Sequence, residues 1–195
     1  MQDARYESGL DNSPMYDGDF FDTSVHRMML CDVGMSSMVI NEADALSSIA
    51  DIIGRSSEAQ RMRQRVAIMR QEIAKLWDPV AGMYVNRFVG NGSFYRRISP
   101  TSFYALLAKA ATDAQAESMV RNWLLSPEHF CIAVNGDFVG NSNDCYWGLP
   151  SIEASDPAFP PLGYWRGYVW GPMAQLTYWS LRNYAHIPVV KQVIC

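Results

Sequence analysis

Apolar residues recur along much of this chain at intervals of three and four, the spacing that predicts helices with one buried face. The first such stripe ends at Gly54, a residue type that commonly terminates helices. A second stripe covers 62–76, and its arginines lie largely off the apolar face, which predicts a solvated surface there. The first stripe consists of Met35, Met38, Val39, Leu46, Ile49, Ala50 and Ile53.

Turn and capping signals mark the remaining elements. Alternating residues at 83–88 and a return at 93–96 predict a β-hairpin. Further helices are predicted from Ser99, from Thr112 and over 171–184. Two pairs of residues have the sequence pattern of a capping box, a Ser or Thr followed three residues later by Gln. They are Ser57 with Gln60 and Thr112 with Gln115. The pattern therefore predicts an all-α fold of helix pairs joined by long loops, and such pairs build either solenoids or closed toroids.

Composition narrows the class of protein. At 195 residues and 49% hydrophobic, the chain can bury one sizeable core. A net charge of -4 without a concentrated basic patch argues against a nucleic-acid partner. The sequence contains no run of about 18 apolar residues, so it predicts no transmembrane segment. The first residues lack the apolar run of a signal peptide, which favours a soluble, cytoplasmic protein over a secreted one, although the compartment stays open.

The cysteine and histidine positions bear on metals and cofactors. The cysteines stand far apart, with no CxxC pair and no histidine at metal-ligand spacing, so we expect no metal site and no cofactor. Cysteines placed in this way are more typical of buried small residues than of a disulfide framework. They are Cys31, Cys131, Cys145 and Cys195.

Three segments are more specific than composition. They are ESGLDNSP at 7–14, SPTSFYALL at 99–107, and LPSI through DPAFP to YWRGYVW at 149–170. In this order and spacing they resemble glycoside hydrolase family 63 and its mannosylglycerate-hydrolase-like relatives, and trehalases more distantly. The resemblance implies an (α/α)6 toroid with its active site in the central pit, here with a short β-hairpin and long active-site loops. It covers 1–186 as a partial catalytic domain and leaves 187–195 as an atypical tail.

The resemblance also implies roles for individual residues. Asp11 matches the general acid of an inverting glycosidase, whose proton the glycosidic oxygen needs as its bond breaks. The same segment on its own is also typical of a simple Asx-type turn. Glu7 is either a carboxylate that tunes Asp11 or a partner of Arg5.

A sugar-binding wall is implied by the third segment. Asn12 is expected to hold the acid's loop and contact substrate. An aromatic face packs on the apolar face of a pyranose, which suits Tyr164 and Trp165. Arg166 either binds an acidic aglycone or braces the loop by pairing with a carboxylate. Gly167 completes the wall, and Trp170 is expected in packing or in the pit floor.

The sequence departs from the family in one respect. An inverting glycosidase uses a second carboxylate as its base. In the resembled family this base is a Glu that lies beyond the YWRG segment, whereas in this sequence no Asp or Glu follows Arg166. We therefore expect a fragment that carries the general-acid half of the site and is inactive alone, unless Glu153 or Asp156 serves as the base. The alternatives are a non-catalytic sugar-binding remnant and a helical scaffold. The expected partner is a carbohydrate, with an α-glucoside, an α-mannoside and mannosylglycerate all open.

Overall fold

The computed structural model of the chain describes residues 2–18, 20–132, 148–159 and 163–194. Helices dominate these residues, as the apolar spacing predicts. Two 3-10 helices cover Pro14–Tyr16 and Pro100–Phe103, and a π-helical turn covers Val120–Leu124. The α-helices are α1 (Gln2–Tyr6), α2 (Val33–Ile52), α3 (Ser56–Ala74), α4 (Tyr104–Leu107), α5 (Asp113–Met119), α6 (Gly171–Arg182) and α7 (Pro188–Ile194).

Helices α2 and α3 form the largest helix pair. Gly54 has a φ of +78°, a conformation that glycine adopts without strain, and it ends α2 as predicted. The predicted capping box at Ser57 and Gln60 is wrong, because α3 begins at Ser56 and has no side-chain cap. The buried face of α3 matches its predicted stripe at Val66 and Ile73.

The apolar stripe predicted for α2 is mostly not its buried face. The side that packs carries small or polar residues together with Val33 and Ile40, and the interior positions include Ser37, Ser47 and Ala50. Short side chains let the neighbouring elements approach α2 closely. Most of the predicted stripe is exposed instead, at Met35, Val39, Leu46, Ile49 and Ile53.

Short strands join the helices into one body. The predicted hairpin is confirmed, since β6 (Asn86–Phe88) pairs antiparallel with β7 (Phe94–Tyr95). Strand β3 (Leu30–Cys31) adds to β6 from the loop before α2. Two smaller ladders pair β1 (Phe21–Asp22) with β2 (Arg27–Met28) and β4 (Trp77–Asp78) with β5 (Met83–Tyr84).

The core lies between α2, α3 and the later helices.

Two of the predicted helix starts are confirmed. Thr112 and Gln115 form the predicted capping box at the start of α5. Ser99 accepts a hydrogen bond from the backbone N–H of Thr101, so the helical segment begins where the sequence predicts, first as 3-10 and then as α4. Residues assigned to the tail form α7, whose Val189 and Val190 are buried in the core.

The cysteines differ from the prediction of buried, unpaired residues. Cys131 is buried and disulfide-bonded, and Cys31 is a free, exposed thiol. Cys145 and Cys195 lie outside the described residues. None of the helices in the described ranges is long and apolar enough to span a bilayer.

Asp78 provides a test of the packing around β4. Its buried carboxylate accepts hydrogen bonds from Arg96 at 2.5 Å and from the backbone N–H of Val80 at 2.9 Å. Burial alone would raise the pKa of Asp78, but the hydrogen bonds from Arg96, Val80 and Ala81 outweigh it and hold the pKa below its usual value. A depressed pKa stabilises the folded state above the unfolded-state pKa, and this contribution is lost as the pH falls through the folded-state pKa.

We expect Asp78→Asn to lower the free energy of unfolding at pH 7 by about 2 kcal/mol. The cost should shrink as the pH falls below about 4, where wild type loses the same contribution. Urea unfolding of both proteins from pH 7 to about pH 2.5 measures it. A stability difference that does not change with pH would show that the charge of Asp78 is unimportant.

Candidate functional site

The segment 7–14, called the acid segment because it contains the candidate acid Asp11, folds as a tight turn after α1. Gly9 has a φ of +71°, and the N–H of Ser13 donates to the carbonyl of Leu10 at 2.9 Å. Asp11 and Asn12 therefore occupy the two central positions of a turn. The Ser13 side chain then caps the 3-10 helix Pro14–Tyr16. Asp11 is partly buried. Its turn lies between α1 and the 3-10 helix Pro14–Tyr16, so Asp11 is not part of a long free loop.

A second tight turn presents the YWRG segment. Gly163 and Arg166 exchange two backbone hydrogen bonds, of 3.0 and 2.8 Å, which leaves Tyr164 and Trp165 as the central residues. Tyr164 has a φ of +49°, as a two-residue hairpin turn requires at its first central position. Gly167 follows with a φ of +103°, and its N–H donates to Ser151 at 3.0 Å.

One hydrogen bond joins the two turns directly. The side-chain oxygen of Asn12 accepts from the backbone N–H of Trp165 at 2.9 Å. These residues are separated by 153 positions in the chain, so the contact is a product of the tertiary fold. The residue next to Asp11 thus fixes the position of the aromatic turn.

The aromatic residues of the third segment form a stack. The rings of Trp165 and Trp170 lie 4.0 Å apart and 17° from parallel, and Tyr164 meets both edge-on. Trp165 is 7% exposed, whereas Trp170 is half-buried. The indole N–H of Trp170 donates to the carbonyl of Tyr164 at 2.9 Å. The indole N–H of Trp165 has no hydrogen-bond partner in the part of the chain that the structure describes.

A cavity of about 330 Å³ lies beside this stack. It is bounded by the acid segment, the first turns of α2, the 3-10 helix before α4, and the start of α6. Asp11 directly follows three lining residues but is not itself one of them. The lining residues are Ser8, Gly9, Leu10, Tyr16, Asp32, Gly34, Met35, Met38, Thr101, Tyr104, Trp165, Trp170, Pro172, Met173 and Leu176.

Arg166 belongs to a cluster of ion pairs around the Asp17 carboxylate, which follows the acid segment. Its guanidinium donates to Asp17 at 2.5 Å. Arg97 lies 3.4 Å from Asp17 and 3.2 Å from Asp156, and Arg5 lies 3.9 Å from Asp17. A pair with a carboxylate is the contact expected for Arg166 if it braces the loop. The same cluster answers the question of the partner of Arg5. Arg5 pairs with Asp17 and not with Glu7, which is exposed.

Asp32 is a site residue to which the sequence alone assigned no role. It caps α2, and its carboxylate accepts from Tyr16 at 2.9 Å and from Asn86 at 3.1 Å. Burial raises the pKa of Tyr16 well above its ordinary value, and the neighbouring Asp32 raises it further. Tyr16 consequently keeps its proton and serves as a hydrogen-bond donor. The signal available in the sequence is a tyrosine two residues after the segment 7–14 and an Asp just before a predicted helix.

Two other carboxylates considered for the base are engaged elsewhere. Glu153 contacts the His129 ring at 2.9 Å and accepts from the hydroxyl of Ser155 at 2.6 Å. Asp156 accepts from Arg97 and from the backbone N–H of Ala158. Neither residue lines the cavity. Among the described ranges, no three acidic, His or Cys side chains are grouped so that they could hold a metal ion.

Two curated relatives have similar sequences, the mannosylglycerate hydrolases MGH1 and MGH2 of Selaginella moellendorffii. Each is 23% identical over 178 residues, which is 89% of this chain and 32% of the relative. The chain therefore spans about a third of the length of these curated relatives.

Solved structures show the fold. A family 63 mannosylglycerate hydrolase from Thermus thermophilus, in complex with glucose, superposes with a TM-score of 0.75 at 19% identity. The match covers 97% of this chain and 50% of that one. Neutral trehalase Nth1 from Saccharomyces cerevisiae matches with a TM-score of 0.60 at 19% identity, over 82% of this chain and 29% of that one. The described helices and hairpin are thus part of an (α/α)6 toroid, as predicted.

The family assignment rests on the sequence as a whole. The profile of the mannosylglycerate hydrolase MGH1-like glycoside hydrolase domain matches residues 4–193, and so includes α7 as well as the three motif segments. With nearly the whole chain matched, the protein belongs to this family of glycoside hydrolases, as its resemblance to family 63 predicts.

Proposed function

We propose that this chain provides the general acid and the sugar-binding wall for inverting hydrolysis of an α-glycosidic bond. The substrate class is a small oligosaccharide or a mannosylglycerate-type glycoside. The observation that carries the proposal is the 2.9 Å hydrogen bond from Trp165 to Asn12, because it fixes the residue beside the candidate acid to the aromatic wall of the cavity. The family membership supports the same reaction class.

Asp11 is the proposed acid. A glycosidic oxygen leaves as an alcohol only if it gains a proton while the C–O bond breaks. Asp11 lies directly after the cavity-lining residues 8–10, so a sugar in the cavity would place its leaving oxygen near this turn. The turn is held at Ser13, which caps the following 3-10 helix, and at Asn12, which accepts from Trp165. A fixed acid lowers the entropic cost of proton transfer.

The aromatic turn is the proposed sugar wall. Trp165 and Trp170 both line the cavity, and Tyr164, which packs edge-on against both rings, is 45% exposed. An aromatic face contacts the C–H face of a pyranose, and the exposed phenol offers a hydrogen bond to a hydroxyl. Asn12, Arg166 and Gly167 contribute by holding this turn in place.

An inverting hydrolysis also needs a base in addition to the acid Asp11. Inverting enzymes keep their two carboxyl groups about 6.5–9.5 Å apart, with water between base and sugar. Glu153 and Asp156 are tied to other side chains, so we do not assign the base to either. A sugar-binding protein without hydrolytic activity would share the wall and the cavity, and the first experiment separates the two functions.

That experiment combines binding and turnover. The 195-residue chain is titrated with methyl α-D-mannopyranoside and methyl α-D-glucopyranoside, and then incubated with mannosylglycerate and with 4-nitrophenyl α-glycosides. Proton NMR follows the anomeric configuration of the released sugar. Binding with release of the β-anomer supports the full proposal. Binding without release, both by these 195 residues and by a longer chain that contains them, supports the sugar-binding function, and absence of both would reject the proposal.

Trp165 gives a second test of the wall. We expect Trp165→Ala to weaken binding of the tighter methyl glycoside by at least about tenfold, because the stacked face is lost, while the variant still folds. Isothermal titration and thermal melting are measured together. Trp179→Ala is the matched control, since Trp179 is 49% exposed on α6 and does not line the cavity. Unchanged affinity of a strongly destabilised Trp165→Ala protein would show that Trp165 serves only the core.

A further inference from the structure

Asp32 is the single charged residue among the described residues that line the cavity. Most of the other lining side chains are apolar or aromatic. Such a cavity buries the C–H faces of a sugar but strips its hydroxyls of water, and each hydroxyl then needs a protein partner. A carboxylate in this setting is a strong acceptor for a hydroxyl.

The Asp32 carboxylate is held rigidly and retains acceptor capacity. Oδ2 accepts from the Tyr16 hydroxyl at 2.9 Å and from Asn86 at 3.1 Å, which occupies both of its lone pairs. Oδ1 accepts from the backbone N–H of Met35 at 2.8 Å, which leaves it one position. A Cβ at Gly34, another lining residue, would lie 2.7 Å from the Cβ of Thr101 and 3.3 Å from Oδ1, so glycine is what lets Thr101 pack against the start of α2 beside Asp32.

A second polar group on the same cavity lacks a partner. Trp165 is 7% exposed, and its indole N–H is unpaired within the described residues. Buried N–H groups are nearly always paired, with protein, water or ligand. The indole nitrogen itself has almost no accessible surface, so of these two polar groups Asp32 is the one that a ligand in the cavity can reach.

We propose that Asp32 accepts a hydrogen bond from a hydroxyl of a neutral pyranose in this cavity and selects against acidic sugars. This inference rests on the proposed function and names the substrate class for its sugar subsite. A carboxylate on the pyranose ring itself would face a like charge in surroundings of low polarity, where Coulomb repulsion is strong. Arg166 does not offset this repulsion, because its guanidinium is paired with Asp17.

The test compares neutral and acidic forms of one sugar on the 195-residue chain. The probes are whichever of methyl α-D-mannopyranoside and methyl α-D-glucopyranoside binds more tightly, and its 6-carboxylate (uronate) counterpart. Wild type should bind the neutral form at least about tenfold more tightly. Asp32→Asn keeps the volume and the helix cap but removes the charge. It should bind the neutral sugar about tenfold more weakly than wild type, and the preference for the neutral form should largely disappear.

Asp44→Asn is the matched control, because Asp44 lies on the same helix, pairs with Arg70 and does not line the cavity. It should bind both sugars as wild type does. If Asp32→Asn does not fold, Asp32→Ser keeps a capping oxygen and replaces it in the same titrations. Wild-type affinity and an unchanged neutral preference in a folded Asp32 variant would overturn the proposal while leaving the proposed function standing. If wild type binds neither pyranoside, both proposals fail.

Discussion

Replacing Asp11 by Asn is expected to lower kcat for an alkyl glycoside by about 10²–10⁴-fold, the usual contribution of general-acid catalysis. The change removes the proton and keeps the shape of the side chain, so affinity for the substrate should stay within about twofold. The measurement is made on a chain that contains residues 1–195 and hydrolyses the substrate. A 4-nitrophenyl glycoside should lose much less rate, because its leaving group departs with little protonation.

Two comparisons keep this expectation specific. Asp113→Asn is the control for a carboxylate, since Asp113 is largely exposed at the start of α5 and does not line the cavity. It should retain full activity. A loss below about tenfold in Asp11→Asn, or equal losses for alkyl and 4-nitrophenyl glycosides, would contradict the role of Asp11 as the acid.

Local patterns in the sequence predicted most of the helices but not every boundary. Thr112 and Gln115 lie within one turn of each other, so their capping box depends on no distant residue. Ser57 and Gln60 have the same spacing, yet the box does not form. The N–H of Arg55 donates to the carbonyl of Ala50 at 2.7 Å, and α3 follows at once from Ser56. Ser57 is thus already inside the helix.

The buried face of α2 could not be read from hydrophobicity. An apolar stripe predicts burial only when a partner lies against it. The partners of α2 in the described structure meet a face with Ser37, Ser47 and Ala50, and the stronger apolar stripe is left exposed. Close helix approach selects small residues, which carry little hydrophobic signal in the sequence.

In the candidate site, too, the residues within the motif segments could be predicted and the residues that support them could not. The motif segments identify Asp11 and the YWRG turn as neighbours through family resemblance. The supporting residues lack such a signal, because their partners are remote: Asp17 is 149 positions from Arg166, and Asp32 is 54 positions from Asn86. A single sequence without pairing information does not connect such positions.

Asp17 joins the acid segment to the YWRG turn and to Arg97, which follows the hairpin. Three guanidinium groups, those of Arg5, Arg97 and Arg166, lie within 4 Å of its carboxylate. All four side chains are at most 26% exposed, so water screens their charges only in part. Removing the Asp17 charge would leave Arg97 paired with Asp156 and would leave Arg5 and Arg166 without a carboxylate partner among the described residues.

We expect Asp17→Asn to lower the free energy of unfolding by about 2–3 kcal/mol, somewhat less than the loss of one partner from a fully buried ion pair. Sugar affinity should fall as well, because Arg166 ends the turn that carries Trp165. Urea unfolding gives the first quantity and titration with the tighter methyl glycoside the second. Asp51→Asn is the matched control: Asp51 pairs with Arg63 at the same 2.5 Å but with both side chains nearly half exposed. Its cost should stay below about 1 kcal/mol.

A double-mutant cycle with Arg166→Gln tests whether the cost arises in the pair itself. If Asp17 and Arg166 act on each other, the double variant loses less stability than the two single losses added together, since the second substitution removes a charge that the first left unpaired. Additive losses would place the effect of Asp17 on Arg5 and Arg97 instead. A cost for Asp17→Asn no larger than that of Asp51→Asn would show that the cluster does not hold the acid segment against the aromatic turn.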